Sequence, residues 1–567
     1  MSLGALQIGR SGLLASQTAL EVTGNNLANM ATRGYHRQVV TLAPMRSQNI
    51  GSNLFVGRGV QVMQITRTVN EALEARLRSS IADESRSAIR QEVLSQIEAI
   101  YNELSDHDLS TQLGEFFNAW SRLALNPRDN SMRSLVLQEG SNLASHLKQL
   151  RSELSKARMT LDQSIEGAVV AANDLLKQLE SLNQAIAVAH GAQGGAAGLR
   201  DQRSALLEDL ARYLDISTVE HQTGMVDIFV GSTPIMLGGR SLGLDIRKRT
   251  VDGDLKMDVV LGIDGTVLDS STGQLGAMVA ARRDDLTGTI DFLDNFTNQL
   301  IFEINKVYSQ GQGLEPFSSL AATNRVLDTT VALNDPDSGL NFTPVHGSFR
   351  VHVVQASTGQ RTSYTIHVDL DGINPGADTT LDSLAADLGA IPGLNVTIGA
   401  DGRLKIDAAA SDIGFTFSDD TSGVLAALGI NTFFTGSSAL DVAVNSVIDQ
   451  NPALMAVGRD HAEGDNRNAL AIAAMANDAQ PAFKGLSVLQ YWNRHIEDLA
   501  VRTAQATNQR EADTIVRENL QQQQQQISGV NADEETINLL AYQRAYQGSA
   551  RFISIVDEMM QTLLSML

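Results

Sequence analysis

The apolar helical patterns at the two ends of the chain constrain its fold more than any other feature. In the last stretch, FISIVDEMMQTLLSML, the polar side chains Ser554, Glu558, Gln561 and Ser565 recur at spacings of four, three and four. Nearly all the others are apolar, so only a narrow stripe of this helix suits contact with water. One partner helix cannot cover so wide an apolar face, and left exposed the face would promote aggregation.

A second helix with a regular apolar seam begins the chain. Its leucines recur every seven residues, which is the spacing of a seam between packed helices. We predict that both terminal helices contribute to interfaces that one copy of the chain does not complete; the alternative is that they are ordinary core helices of one domain. The predicted subunit-interface residues are Leu6, Leu13, Leu20, Leu27, Phe552, Ile555, Val556, Met559 and Leu563.

Small residues form a strip beside these leucines, where another backbone can approach closely. Each glycine in the strip costs about 1 kcal/mol relative to alanine inside a helix, so the first helix is marginal alone in water. We therefore expect residues 1 to about 35 and about 535 to 567 to be largely disordered in the monomer. The strip consists of Ala5, Gly9, Gly12, Ser16, Ala19 and Thr23.

The stretch NNLANMATRGYHRQ, at residues 25–38, predicts the end of the first helix. Asn25, Asn26 and Asn29 are poor residues for a helix interior and favour turns closed by their own side chains. Gly34 can take the positive φ with which a chain often leaves a helix. We expect a turn that redirects the chain into the β-like sequence HRQVVTLAP.

The hydrophobic period along the chain predicts a multidomain protein. Its fold class is an α-helical coiled-coil or bundle core built from both chain ends, with inserted β-rich (α+β) domains. Its 567 residues suffice for several domains. The predicted regions are 1–69 with 531–567 as a terminal coiled-coil region including the N-terminal turn; 70–215, 274–310 and 446–530 as a helical bundle; 216–273 with 311–344 and 437–445 as a first β-rich insertion; and 345–436 as a second.

Composition excludes several classes of function. The formal charge of −22 repels a phosphate backbone, so nucleic acid is not an expected partner. The chain contains no cysteine, which excludes disulfides, thiolate metal sites and cysteine nucleophiles. We find neither a membrane span nor a cleavable secretory signal, so the protein stays inside the cell or leaves by a route that reads no such signal.

Motifs for catalysis or metal binding are missing from the sequence. There is no glycine-rich phosphate loop, no GxSxG and no HExxH. The acidic sequences DLDG (369–372) and NDPDSG (334–339) lack the ligand spacing of a calcium loop and are predicted as turns. A hairpin turning at Gly359–Gln360 would place His352 opposite His367, but no third zinc ligand is evident. We predict no catalytic residue, no cofactor and no metal.

The N-terminal turn resembles the signature of the bacterial flagellar rod, hook and hook-associated proteins. Three further segments are similar to the hook–filament junction members of this family: FVGRGVQVMQITRTVNEALEARLR (55–78), LGINTFFTGSSALDVAVN (428–445) and INLLAYQRAYQGSARFISIVDEMMQTLL (537–564). The matching axial-motif residues are Asn25, Asn26, Leu27, Ala28, Asn29, Thr32, Gly34 and Tyr35.

This resemblance implies a structural subunit outside the cell, exported through the flagellar type III apparatus without a cleaved signal peptide. It implies a homo-oligomeric tubular ring whose channel is lined by the terminal helices. The implied partners are the hook protein on one side, the second junction protein on the other, and an export chaperone in the cytoplasm. Two alternatives stay open: another axial protein of hook or distal-rod type, and a secreted adhesin or enzyme that uses the outer domains.

Overall fold

A computed structural model describes residues 2–49, 55–103, 108–189, 196–251, 254–269, 272–373, 378–460, 462 and 464–566. The chain forms two compact units, each assembled from separate stretches of sequence. The first unit contains both chain ends and comprises Met1–Val93, Thr160–Arg283 and Ala504–Leu567. The second unit comprises Leu94–Met159 and Asp284–Thr503. The four regions predicted from the sequence stay a prediction.

The helices lie close to the positions that the apolar period predicts. Local signals explain their ends: Asp108, for example, accepts a hydrogen bond from the backbone N of Thr111 at 2.6 Å and so caps one helix. The α-helices are α1 (Ser2–Ala28), α2 (Glu71–Tyr101), α3 (Leu109–Leu125), α4 (Asn130–Ala189), α5 (Ala197–Tyr213), α6 (Gly273–Ala280), α7 (Gly288–Tyr308), α8 (Leu381–Gly389), α9 (Val424–Leu428), α10 (Ser446–Gln450), α11 (Arg467–Ala474), α12 (Val488–Ser528) and α13 (Ala532–Ser565).

Strands fill the two predicted β-rich regions and the segment after α1. They are β1 (Gln38–Pro44), β2 (Gln48–Asn49), β3 (Phe55–Val56), β4 (Val60–Arg67), β5 (Ile216–Glu220), β6 (Val226–Val230), β7 (Thr233–Leu237), β8 (Arg240–Ser241), β9 (Leu244–Val251), β10 (Asp254–Leu261), β11 (Ser319–Ala321), β12 (Gly347–Gln355), β13 (Arg361–Val368), β14 (Leu394–Ile398), β15 (Leu404–Ala408), β16 (Ile413–Ser418), β17 (Phe434–Thr435) and β18 (Ala443–Val444). The fold class is therefore confirmed: helices dominate, and small sheets are inserted between them.

In the first unit, α1 and α13 pack together, so the two ends of the chain meet in one structure. Strands β1 and β4 pair antiparallel and both lie against α1. The strands β5, β6, β7 and β8 form an antiparallel sheet in that order, and β9 pairs with β10. Asn183 of α4 donates from Nδ2 to the carbonyl oxygen of Val226 at 3.0 Å, which joins that sheet to the helix.

In the second unit, aromatic side chains form one core between helices. Trp120 lies edge-on to Phe433, with ring centroids 5.4 Å apart, and also contacts Tyr308. The β-rich part has its own core, in which Phe415 and Phe417 of β16 are fully buried beside Val351 of β12. Two three-stranded sheets cover this core, in the orders β13-β12-β16 and β11-β15-β14.

The hairpin of β12 and β13 differs from its prediction by four residues in register. His352 lies opposite Ser363, and Ser348 lies opposite His367, so the two histidines are not a cross-strand pair. The cause is the loop: the strands end at Gln355 and Arg361, leaving a five-residue connection instead of a turn of two. Gly359 takes a φ of +69° within it. An even shift keeps each side chain on its predicted face, so the apolar face survives.

Two further details extend the prediction. The segment 274–308 is helical throughout, but Ala281–Thr287 adopts a π-helix between α6 and α7. Three strands, β14, β15 and β16, lie between α8 and α9. Of the helices that the structure describes, none is long and apolar enough to cross a membrane.

Candidate assembly interface at the chain ends

The small-residue strip of α1 is the surface that α13 contacts. Gly9 is buried, and a Cβ built on it would lie 2.6 Å from Cγ1 of Ile553. A Cβ on Gly12 would lie 2.8 Å from Oγ of Ser549. Real Cβ atoms essentially never come within 3.0 Å of another heavy atom, so a side chain at either position would force Ile553 or Ser549 to shift. The predicted close approach is thus made within one chain, by its own last helix.

The leucine seam of α1 lies beside this contact and is only partly covered. Leu6, Leu13, Leu20 and Leu27 are all half-buried, whereas Ser16 and Ala19 on the strip are 8% and 1% exposed. Because α13 takes the small-residue face, the leucines keep apolar surface that no part of the described chain fully covers.

The last helix leaves a continuous apolar stripe in solvent. Phe552, Ile555, Met559 and Leu563 are 41%, 56%, 58% and 58% exposed, and their spacing of three, four and four places them on one face. Val556, also predicted as an interface residue, is instead buried at 4% exposure. Contact with α1 therefore covers one side of α13 and leaves the neighbouring side open.

The helix α1 continues through Asn25 and Asn26 to Ala28, and the turn follows it. Asn26 is almost fully buried and joins three elements. Its Nδ2 donates to the carbonyl oxygen of Gln38 at 2.9 Å and to Oε2 of Glu535 at 3.0 Å, while its Oδ1 accepts from the backbone N of Gln38 at 3.0 Å. This one side chain thus connects α1 to the start of β1 and to the first turn of α13.

The other motif residues close the turn. Tyr35 donates from its hydroxyl to Oδ1 of Asn26 at 2.8 Å, and burial, with the charges of Asp201 and Glu535, raises the pKa of Tyr35 to about 12. Asn29 donates from Nδ2 to Oδ1 of Asn25 at 2.9 Å, and Thr32 donates to Asn29 at 3.3 Å.

Gly34 has the predicted positive φ, at +74°. A Cβ there would lie 3.0 Å from Cβ of Ala205 on α5, so the turn also rests on that helix. Leu27 and Ala28 occupy the last turn of α1.

A buried charged network lies directly after the motif. His36 contacts Oδ1 of Asp201 through Nδ1 at 2.8 Å and Oε1 of Glu74 through Nε2 at 3.4 Å. Burial lowers the pKa of His36, but the hydrogen bonds to Asp201 and Glu74 outweigh it and raise the pKa to about 9. The imidazole is therefore a cation at neutral pH. Arg67 also pairs with Asp201, at 2.9 Å.

Arg37 completes the connection to the last helix. Its Nε lies 2.8 Å from Oε1 of Glu535 and its NH1 lies 3.0 Å from Oε2 of Glu534. Sequence reasoning missed His36, Arg37, Asp201 and Glu535. The first two directly follow the motif and were visible as charged residues there, but their partners lie 165 and 498 positions away. No local pattern identifies such partners.

One cluster outside this region has metal-ligand chemistry. Ligand atoms of His346, Asp369 and Asp371 lie within 4.8 Å of one another, at the edge of the β12–β13 hairpin. His346 already contacts Asp369, Nδ1 to Oδ1, at 3.2 Å, and the group is largely exposed. His352, by contrast, is buried between the hydroxyls of Ser363 and Ser418 at 2.7 and 2.8 Å.

Comparisons with known proteins match the same two ends. A model of the flagella basal body rod protein family matches residues 6–36, and a model of the C-terminal region of flagellar basal body rod FlgEFG proteins matches 521–566. The model of the helical domain of flagellar hook-associated protein FlgK matches 94–318. Paired terminal helices with these motifs define a structural, axial protein of the bacterial flagellum.

Similarity extends over nearly the whole chain. The chain is 24% identical to flagellar hook-associated protein 1 of Escherichia coli K12, over 98% of both chains. It is 26% identical to that of Bacillus subtilis 168, over 99% of this chain and 97% of the relative. This full-length similarity to flagellar hook-associated protein 1, together with the family-model matches, supports a structural protein of the hook–filament junction. A solved structure of the flagellar hook junction protein FlgK from Burkholderia pseudomallei aligns with 80% of this chain and 100% of its own, at 14% identity and a TM-score of 0.48.

Proposed function

We propose that this chain builds the hook–filament junction by folding its two ends only as it polymerises. The observation that carries the proposal is the apolar stripe of α13, which stays in solvent although α13 is already packed against α1. A second copy of the chain is the partner that supplies this cover in a symmetric assembly. The product is a tubular ring with the terminal helices toward its axis.

Energetics support the coupling. Fully burying a large apolar side chain contributes roughly 1.5–3 kcal/mol, and the four stripe residues each retain about half of that surface. Ordering the backbone costs roughly 1–2 kcal/mol per residue. The contact between α1 and α13 offsets only part of this cost, because Gly9 and Gly12 weaken the helix that makes it. Contacts from neighbouring copies supply the remainder.

We infer the partners of this protein from its similarity to the flagellar hook-associated proteins. The ring contacts the hook protein on one side and the second junction protein on the other, outside the cell. Export proceeds through the type III apparatus, with an uncleaved N-terminal signal and an export chaperone in the cytoplasm. Ends that are unfolded before assembly suit a narrow export channel and cannot polymerise early. The role is structural, without catalysis.

A hook or distal-rod role is the second candidate. The matches to rod-family models at residues 6–36 and 521–566 fit a hook or rod protein as well as they fit a junction protein. The match of 94–318 to the hook-associated helical domain favours the junction instead. Deleting the gene separates the two: a junction subunit leaves complete hooks without filaments in electron micrographs, whereas a hook or rod subunit leaves no complete hook.

Complementing the deletion strain tests the interface itself. Met559→Asp and Leu20→Asp place a carboxylate in the predicted seams, and we expect neither variant to restore filaments. Gln561→Asp, on the polar side of α13, is the matched control and should restore them. Immunoblots of the culture medium must show that all three variants are secreted. Normal filaments on secreted Met559→Asp would refute an interface role for the stripe.

A further inference from the structure

A cavity lined by arginines lies in the first unit, away from the apolar stripe. It has a volume of about 450 Å³ and is lined mainly by residues of α2, α5 and α12, with Arg33 from the turn after α1. The whole chain carries a net charge of −22, yet this cavity has twice as many cations as anions on its wall. Its charged lining residues are Arg33, Arg212, Arg510, Arg517, Glu84 and Glu208.

Two of the arginines are closely paired within the protein. Arg517 Nε lies 2.5 Å from Oε2 of Glu84, and Arg33 NH2 lies 2.7 Å from Oδ1 of Asp209. These two guanidinium groups are therefore neutralised locally, and they hold α12 and the turn in place around the cavity.

The other two arginines have weaker partners. Arg212 reaches Asp209 only at 3.9 Å, and Asp209 already pairs with Arg33. Arg510 donates to a neutral group, the side-chain oxygen of Gln91, at 2.6 Å. Glu208 faces Arg33, with Oε2 3.7 Å from NH2, so its charge is opposed by that arginine. Positive charge is thus left over in the cavity.

The remaining lining groups suit an anion with several oxygens. Gln521 adds an amide donor and Ser85 adds a hydroxyl. The amide of Gln524 is already used, since its Nε2 donates to Oε1 of Glu74 at 2.8 Å. Guanidinium groups bind phosphate oxygens through two parallel hydrogen bonds, which makes arginine the preferred residue for that geometry. We propose that this cavity binds a small polyvalent oxyanion of the phosphate class, held chiefly by Arg212 and Arg510. Inorganic phosphates and phosphorylated metabolites share this chemistry.

Calorimetric titration of the full-length chain with pyrophosphate, at constant ionic strength, tests the site. We expect saturable binding of one ion per chain. Because a hydrogen bond to a charged group is worth about a tenfold change in affinity, Arg212→Gln with Arg510→Gln should weaken binding by about 100-fold. Arg403→Gln, a half-exposed arginine of the second unit, is the control and should leave the affinity unchanged.

Each outcome decides the proposal. Absence of saturable binding, or equal affinity in the double variant, overturns it. If circular dichroism shows that the double glutamine variant does not fold, Arg212→Lys with Arg510→Lys replaces it. Lysine keeps the charge but lacks the planar guanidinium with its two parallel donors, so affinity should still fall about tenfold or more. Unchanged affinity there also overturns the site. Parallel titrations with glucose 6-phosphate and inorganic phosphate distinguish the sources: tighter binding of glucose 6-phosphate identifies a metabolite, and tighter binding of inorganic phosphate identifies the inorganic ion.

Discussion

Asn26 shows how much one residue of the axial motif contributes at the residue scale. Its amide is both donor and acceptor, and its contacts reach three parts of the first unit: the turn, the start of β1 and the first turn of α13. Neither a carboxylate nor an apolar side chain reproduces this pattern. The motif therefore fixes the direction of the chain as it leaves α1, as well as ending the helix.

Replacing Asn26 with Asp tests this role. The change preserves the side chain's shape, but it removes two hydrogen-bond donors and sets a carboxylate against Glu535. We therefore expect the folded, assembled state to lose stability on the order of 3 kcal/mol. The measurement is the thermal disassembly midpoint of purified hook–junction complexes. Asn25→Asp, one residue earlier and exposed, is the control and should cost much less. Equal effects of the two substitutions would show that Asn26 has no special role.

His36 predicts that the first unit loses stability in alkali. Its folded pKa of about 9 lies above the ordinary value of about 6.5. The contribution of protonated His36 to the free energy of unfolding is thus complete below about pH 6.5 and is lost as the pH rises through 9. Its size is on the order of 3 kcal/mol. Urea unfolding followed by far-ultraviolet circular dichroism at pH 6.5 and 9.5 measures it. The non-titrating variant His36→Gln should remove this pH dependence; an unchanged profile would contradict the assignment.

His495 predicts the opposite response in the second unit. Its ring stacks on Phe292 with centroids 3.6 Å apart, and burial lowers its pKa to about 4. A depressed histidine pKa means that stability is present above about pH 6.5 and declines as the pH falls from there toward 4. Both tryptophans of the chain, Trp120 and Trp492, lie in this unit, so fluorescence reports it alone. Unfolding midpoints that stay constant from pH 7 to 4.5 would contradict the prediction, and His495→Gln is the control.

At the scale of elements, the pairing of α1 with α13 depends on the absence of side chains at two positions. Helix existence and extent were predictable, because apolar period and capping are local properties. The register of β12 on β13 was not, because it depends on whether Gln355 to Arg361 forms a short turn or a five-residue loop. Which face of α1 receives α13 was open too, since leucines and small residues both form regular strips.

Alanine substitutions at two glycines of α1 distinguish the effect of helix propensity from the effect of packing against α13. Gly24→Ala meets nothing within 4 Å, so it should stabilise the helix by up to about 1 kcal/mol. Gly9→Ala gains the same propensity but drives a methyl group into Ile553, and overpacking of this kind costs about 1–3 kcal/mol. We expect disassembly midpoints of the hook–junction complexes to rise for the first and fall for the second. A rise in both would mean that α13 does not need the close approach.

At the scale of the whole molecule, the chain closes on itself in the first unit while the second unit has independent aromatic and β-rich cores. The sequence predicted the multidomain class and the meeting of the two ends, because neither terminal apolar stripe can be buried alone. It could not predict the network of His36, Arg37, Asp201 and Glu535, whose members meet only once the fold exists. The apolar stripe of α13 was predicted, and the structure shows which side of it α1 leaves open.

The most direct test of coupled folding and assembly is hydrogen exchange on dilute monomer, with the monomeric state verified by analytical ultracentrifugation. If neighbours are needed to order the ends, amides of residues 1 to about 35 and about 535 to 566 should exchange almost completely within seconds. Amides of the second unit's helices should stay protected under the same conditions. Strong protection of Leu13–Leu27 and Ile553–Leu564 in that monomer would show that α1 and α13 satisfy each other, and would contradict the account.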